Sequence, residues 1–260
     1  MPQIHPTAIV NSSAQLADDV IVGPFTIIEA DVRIGAGTTL GAHVFVDNGA
    51  RIGANVKIHQ GAVIATPPQD LKYRGEPTEM FVGDNTEIRE YCTLNRGTIN
   101  TRRSSVGKNC FLMAYAHVAH DCTVGDHVIL ANGAMLGGHT VVGDWVIVGG
   151  LTGVHQFAHI GAHAMVGGVS KVVKDVPPYC LAGRLPARFE GLNSIGLRRR
   201  GFSRETIDAL DAAYRALYNQ GMNVSQAVEY IGRNVPMIAE VRSLLEFIAA
   251  SSRGIIRAGG

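Results

Sequence analysis

Between Ile4 and Val172 every sixth residue is aliphatic. Of the 29 positions in that phase, 26 are isoleucine, leucine or valine, and the exceptions are Asp70, Glu76 and Asn100. Neither the period of a helix nor the alternation of a strand holds one phase over such a length. A fixed six-residue period predicts a parallel β-helix. The fourth residue after each aliphatic is small or valine, as at Ala8, Ala14, Val20, Thr26, Ala134 and Thr140. Glycine often follows the aliphatic, as at Gly23, Gly35, Gly53, Gly107 and Gly125. Its tolerance of unusual backbone angles suits a corner there. Three hexads make a triangular coil, and each coil pairs with the next at about 4.8 Å. The interior is buried only by stacking.

Two segments break the phase. "PPQDLKYRGEPTEM", 67–80, puts Asp70 and Glu76 in aliphatic slots and predicts a projecting loop. "NTRRSS", 100–105, predicts a smaller excursion. The repeat stops at "VVKDVPPYC", where two prolines end it. A basic connector follows, and residues 203–251 have helical periodicity. Ser203 is placed to cap a first long helix with an apolar stripe at Ile207, Leu210, Ala213, Tyr214 and Leu217. Asn223 or Ser225 is placed to cap a second, and "MIAEVRSLLEFIAASSR" predicts a third. The expected chain is mainly β, a β-helix over 1–183 followed by a small α-helical domain over 184–260.

Composition agrees with repetitive packing. There are 31 glycines and only 6% aromatic residues. Lys and Arg total 23 against 22 for Asp and Glu, so no global charge calls for nucleic acid or a membrane surface. No apolar run is long enough to insert in a bilayer, and the first residues lack the charged and apolar regions of a leader. A cytoplasmic protein is the expectation. Cys92, Cys110, Cys122 and Cys180 form no CxxC pair. The first three fall in the small slot and read as core fillers.

Candidate chemistry gathers in "YAHVAHDCTVGDH", 115–127. His120 is two places after an aliphatic and should face outward. Within 106–172 the register is unbroken, so Gly138 and Gln156 stack above His120, and His139 above Asp121. An imidazole beside a carboxylate suits a general base with its orienter, and an exposed glycine N–H suits an oxyanion donor. Together they point to acyl transfer to a hydroxyl. His117, His120 and His139 also match, as the lesser alternative, three imidazole ligands of a catalytic zinc, as in β-helical carbonic anhydrases. Spacing leaves both readings open, and by itself gives His117 and His155 no role.

The stretches "AHVAHDCTVGD", "GVHQFAHIGAHAMVGG", "PPQDLKYRGEPT", "LNRGT" and "GLRRRGFSRE" together resemble the acyl-[acyl-carrier-protein]–UDP-N-acetylglucosamine O-acyltransferase family over essentially the whole chain. The resemblance implies a left-handed coil and a homotrimer with sites between neighbouring prisms. It implies no cofactor and no metal. The implied reaction moves a (3R)-3-hydroxyacyl group from acyl carrier protein to the 3-hydroxyl of UDP-N-acetylglucosamine, opening lipid A synthesis. His120 matches the family's catalytic base, Asp121 its partner and Gly138 the oxyanion donor. Gln69, Asp70 and Lys72 match a loop that holds the sugar nucleotide, with His117, His139 and Gln156 around the sugar, and His155 is counted with the substrate-binding residues. Asn193, Arg199 and Arg200 match tail residues that reach the nucleotide. Gly168, stacked above Gly150 and Asn132, matches the position that sets acyl length, where glycine implies a long donor of the hydroxymyristoyl class. Asn95, Pro186 and Ile195 depart from histidine, histidine and glutamate in some members. These departures keep the 3-amino analogue of the sugar open as the acceptor.

Overall fold

The computed structural model describes residues 1–259. Three sheets of eleven, nine and eight strands, parallel except at the last strand of the first, form the walls of a left-handed triangular prism. We call them first, second and third by the order in which the chain enters them, at Gln3–Ile4, Ile9–Val10 and Gln15–Leu16. Most strands are only two residues long, because the chain must turn a corner every six residues. In the prism, each strand pairs with the one three strands further along. Thus Val118 lies opposite Leu136, and Leu136 opposite Val154.

Both interruptions preserve the phase. Ile64 pairs with Leu94 across the loop after Thr66, and Leu94 pairs with Val118 across the shorter excursion. Each insertion is therefore a whole number of hexads, and the aliphatic column continues unbroken. Ile28, Ile64, Ile88, Leu94, Leu112, Leu130, Leu136 and Ile160 are all fully buried in it. Truncating such a residue to alanine costs about 2–5 kcal/mol.

The small slot supplies hydrogen bonds as well as volume. Thr26, Thr38, Thr86 and Thr152 donate to the carbonyls of Gly41, Gly53, Gly107 and Gly167. The thiols of Cys110 and Cys122 take the same role toward Gly125 and Gly137, at 3.1 and 3.2 Å. Burial pushes the Cys92 and Cys110 thiols up to about 11 and that of Cys122 to about 12. These cysteines are inert core residues.

The glycines after the aliphatics do not take left-handed angles, contrary to the sequence expectation. That conformation falls two residues later, on Phe25 (φ 58), Asn55 (φ 55), Trp145 (φ 62) and their equivalents. What requires glycine is the close approach of successive coils. A Cβ on Gly23 would lie 2.7 Å from the carbonyl carbon of Gly41.

The prolines do not end the first sheet. Cys180–Gly183 adds to it in parallel beside Met165–Val166, and Arg188–Leu192 pairs antiparallel with that strand. Four helices follow: α1 (Ser194–Arg199), α2 (Arg204–Tyr218), α3 (Val224–Asn234) and α4 (Ala239–Ala250). Ser203 caps α2 by accepting from the Thr206 N–H, and Asn223 forms a capping box with Gln226 at α3. The predicted stripe of α2 is buried. The tail then returns to the prism, where the Ile256 N–H donates to the Asp175 carbonyl at 2.9 Å. No helix is long and apolar enough to cross a membrane among the described residues.

Candidate active site

The corner between the second and third sheets brings His120 and Asp121 together. His120 Nδ1 lies 2.7 Å from Asp121 Oδ2. An ionised carboxylate only accepts, so Nδ1 carries the proton and Nε2 is left as the free base nitrogen. Asp121 occupies the left-handed corner position, with φ 59, which short polar residues tolerate.

Asp121 does not share the surface strip with His120, His139 and Gln156 that the stacked columns predict. Its side chain is 0% exposed, and that of His120 is 13% exposed. The physical reason is the excursion before it, which folds over the carboxylate. Thr98 donates from its N–H at 3.0 Å and its hydroxyl at 2.8 Å, and the Thr101 hydroxyl donates as well. The Asp121 N–H donates to Ser104 Oγ at 2.7 Å. Burial alone would push the carboxyl up. The hydrogen bonds from Thr101, His120 and Thr98 together outweigh it and hold the group below the usual aspartate range. Thr98, Thr101 and Ser104 are hydrogen-bond partners of Asp121 that the hexad phase does not single out. The hydroxyl-rich make-up of 98–105, beside a charged column, was the available signal.

Gly138 lies directly over the imidazole. A Cβ there would sit 2.6 Å from His120 Cε1 and 2.7 Å from Nε2. The Gly138 N–H has no described acceptor. One coil further, the Phe157 N–H donates to the Gly138 carbonyl at 3.0 Å, and Phe157 stacks on His139 at 4.4 Å. His139 in turn meets His120 edge-on, ring centres 5.4 Å apart, and its Nε2 is 3.5 Å from Asp121 Oδ2. Segments 119–121, 137–139 and 155–157 therefore stack as expected.

The three-histidine cluster does not form. Among the described residues the group able to hold a metal is His120, Asp121 and His139, with ligand atoms within 4.8 Å of one another. His117 is drawn away by the coil below, where Thr93 Oγ1 lies 2.7 Å from its Nδ1. Burial shifts His117 downward, with the Thr93 bond opposing and His120 assisting, so the ring is neutral near pH 7.

The loop is tied down at its base and open at its tip. Asn95 Nδ2 donates to Thr66 Oγ1 at 3.0 Å and to the Pro67 carbonyl at 3.2 Å. Gln69 and Lys72 are exposed and Asp70 half-buried, with Asp70 Oδ1 accepting from the Lys72 N–H at 3.0 Å. On the corner between the first and second sheets, Gly168, Gly150, Asn132, Tyr115, Leu151 and Met135 line an apolar groove of about 660 Å³. Gly168 does not take a left-handed φ; its neighbour Val169 does, with φ 56.

Asn193, Arg199 and Arg200 stand elsewhere. With Ile147, Met165 and Leu181 they line a pocket of about 520 Å³ on the first sheet, away from the His120 corner. Asn193 caps α1, accepting from the Gly196 N–H and donating to the His163 carbonyl at 2.9 Å. Arg200 donates to the Trp145 carbonyl at 2.8 Å and lies over its ring. Burial, with the Arg200 charge beside it, lowers His163 to about 4.

Comparison with known proteins is consistent along the whole chain. Residues 175–256 match the second domain of the UDP-N-acetylglucosamine O-acyltransferase model, and 13–48 and 103–138 match the bacterial transferase hexapeptide model. An acyl-[acyl-carrier-protein]–UDP-N-acetylglucosamine O-acyltransferase of Thiobacillus denitrificans is 49% identical, over 99% of this chain and 100% of its own. A solved structure of LpxA from Acinetobacter baumannii is 44% identical, with a TM-score of 0.95 over 98% of this chain and 99% of its own. A solved UDP-N-acetylglucosamine acyltransferase from Bacteroides fragilis is 40% identical, with a TM-score of 0.97 over 98% of this chain and 100% of its own.

Proposed function

The chain belongs to the acyl-[acyl-carrier-protein]–UDP-N-acetylglucosamine O-acyltransferase family, and we propose the following mechanism for its transfer of an acyl group from acyl carrier protein to UDP-N-acetylglucosamine, the first step of lipid A biosynthesis. His120 Nε2 removes the proton from the 3-hydroxyl. That oxygen attacks the thioester carbonyl of the (3R)-3-hydroxyacyl donor. The oxyanion accepts a hydrogen bond from the Gly138 N–H. The intermediate collapses, the C–S bond breaks, and the imidazolium returns its proton to the leaving thiolate of the carrier.

One observation carries this reading: Nε2, the nitrogen left free by Asp121, lies over the glycine whose N–H has no described acceptor. Base and oxyanion donor thus converge on one small region, the geometry acyl transfer needs. The buried carboxylate fixes the tautomer and stabilises the imidazolium. Membership of this family, at this identity and coverage, removes the carbonic-anhydrase-like alternative.

Gln69, Asp70 and Lys72 with His117, His139, His155 and Gln156 hold the acceptor sugar nucleotide, and Asn193, Arg199 and Arg200 serve its diphosphate end. Arginine suits phosphate through its planar fork. The tail residues and the His120 corner lie on different walls of one prism. A homotrimer joins the two sets across each interface, and the apolar outer face of the first sheet, with Phe111, Ile129, Ile147, Met165 and Leu181, supplies the contact. We place the enzyme in the cytoplasm, where acyl carrier protein supplies the donor. Light scattering on the active species should give three copies, and an active monomer would contradict the assembly.

Mass spectrometry of the product from UDP-N-acetylglucosamine and hydroxyacyl carrier proteins tests the reaction. An ester at the 3-position is the expected product. Turnover of the 3-amino analogue to an amide, with none of the hydroxyl substrate, would reassign the acceptor.

A further inference from the structure

The returning C-terminal tail places a cation against the acceptor strip. His155 Nδ1 stands 3.0 Å from the Gln156 carbonyl and 3.3 Å from Arg253 Nη2. A carbonyl only accepts and a guanidinium only donates. The two contacts therefore demand opposite states of the same nitrogen, protonated for Gln156 and bare for Arg253.

We propose that Arg253 is a positioning residue of the acceptor site: its guanidinium keeps His155 Nδ1 free of a proton and so fixes the Nε2–H tautomer, a hydrogen-bond donor to UDP-N-acetylglucosamine. This rests on the reading above that His155 lies beside the sugar. The charge-assisted bond from the guanidinium is the stronger of the two competitors.

The tail is held firmly enough to do this. Arg253 Nε and Nη2 both donate to the Val173 carbonyl, at 3.4 and 3.2 Å. Buried Asp175 anchors the segment on either side: its carboxylate accepts from the Ser251 hydroxyl and the His159 N–H, and its own N–H donates to the Gly254 carbonyl at 3.1 Å. The backbone that carries His155 is fixed as well. Its N–H donates to the Val172 carbonyl at 2.8 Å, and a Cβ on Gly137 would lie 2.8 Å from the Gln156 nitrogen. The coil that carries His155 therefore rests directly on the coil that carries Gly138. The tail at the far end of the chain becomes part of the acceptor site through a single imidazole.

Steady-state kinetics of the full-length enzyme test this with Arg253→Leu, His155→Ala and the double variant. Arg253→Leu should raise KM for UDP-N-acetylglucosamine about five- to tenfold, the scale of one lost hydrogen bond, and leave kcat within about twofold. The double variant should be no worse than His155→Ala, because Arg253 acts only through that ring. Arg253→Lys, which retains the cation, should recover most of the affinity and control for misfolding of the leucine variant. Ring ¹⁵N shifts of His155 should report a bare Nδ1 in the wild type and a protonated Nδ1 in Arg253→Leu. Additive effects in the double variant, or an unchanged KM in Arg253→Leu, would overturn the proposal. An unchanged KM in His155→Ala would overturn both the proposal and the placement of His155 at the sugar, while the kcat of His120→Ala reports separately on the acyl-transfer chemistry.

Discussion

The imidazole of His120 occupies the space that a side chain on Gly138 would need. A single methyl group there would fall 2.6 Å from Cε1 and 2.7 Å from Nε2. Gly138→Ala should therefore drive the base off its position while leaving the aliphatic column intact. We expect kcat to fall by about 10²-fold or more, the scale of general-base catalysis, with the thermal midpoint nearly unchanged. Calorimetry and steady-state rates on the same preparation check this, and an active Gly138→Ala enzyme would show that the ring has room to move.

Asp121 links catalysis to acid stability. Its folded-state carboxyl is held below the usual range, so its contribution is present above the ordinary aspartate value of about 3.9. That contribution is lost as pH falls through the lower folded value. Asp121→Asn should lower kcat by about 10²-fold or more, because an amide no longer enforces the Nδ1–H tautomer or stabilises the imidazolium. The wild type should be the more stable protein at neutral pH, and its advantage over Asp121→Asn should shrink below pH ~4. Thermal melts across this range decide the matter, and a gap independent of pH would contradict the buried, ionised carboxylate.

The stacking of His120, Gly138 and Gln156 was legible because the period is an integer. Once the hexads are in phase, residues one coil apart must stack, and His120, Gly138 and Gln156 could be placed from numbers alone. What hid Asp121 was the shorter of the two interruptions: Thr98, Thr101 and Ser104 close over it from in and beside that excursion. The glycines were recognised but their cause was not, since close packing of coils leaves no mark distinct from a need for left-handed angles. The placement of Asn193, Arg199 and Arg200 on another wall was beyond reach, because it depends on how the strand Cys180–Gly183 extends the first sheet past the prolines.

Acyl length should follow the groove beside Gly168. A Cβ there would sit 3.2 Å from the Gly150 carbonyl, so a small side chain fits tightly and a long one must project into the groove. Gly168→Met should reduce activity with hydroxymyristoyl donors and spare or raise it with shorter ones. Each buried CH₂ is worth about 0.8 kcal/mol, so two carbons shift preference roughly tenfold. A donor panel read by rate checks the order, and an unchanged ranking would remove Gly168 as the length-setting residue.

The mechanism stands or falls on His120 as the general base. The decisive measurement is the kcat of His120→Ala, taken with its affinity for UDP-N-acetylglucosamine by titration calorimetry. The side chain faces the site rather than the core, so the prism should fold and bind as before. A loss of about 10²–10⁴-fold in kcat is expected, with affinity close to wild type. A His120→Ala enzyme that turns over at near the wild-type rate would contradict it.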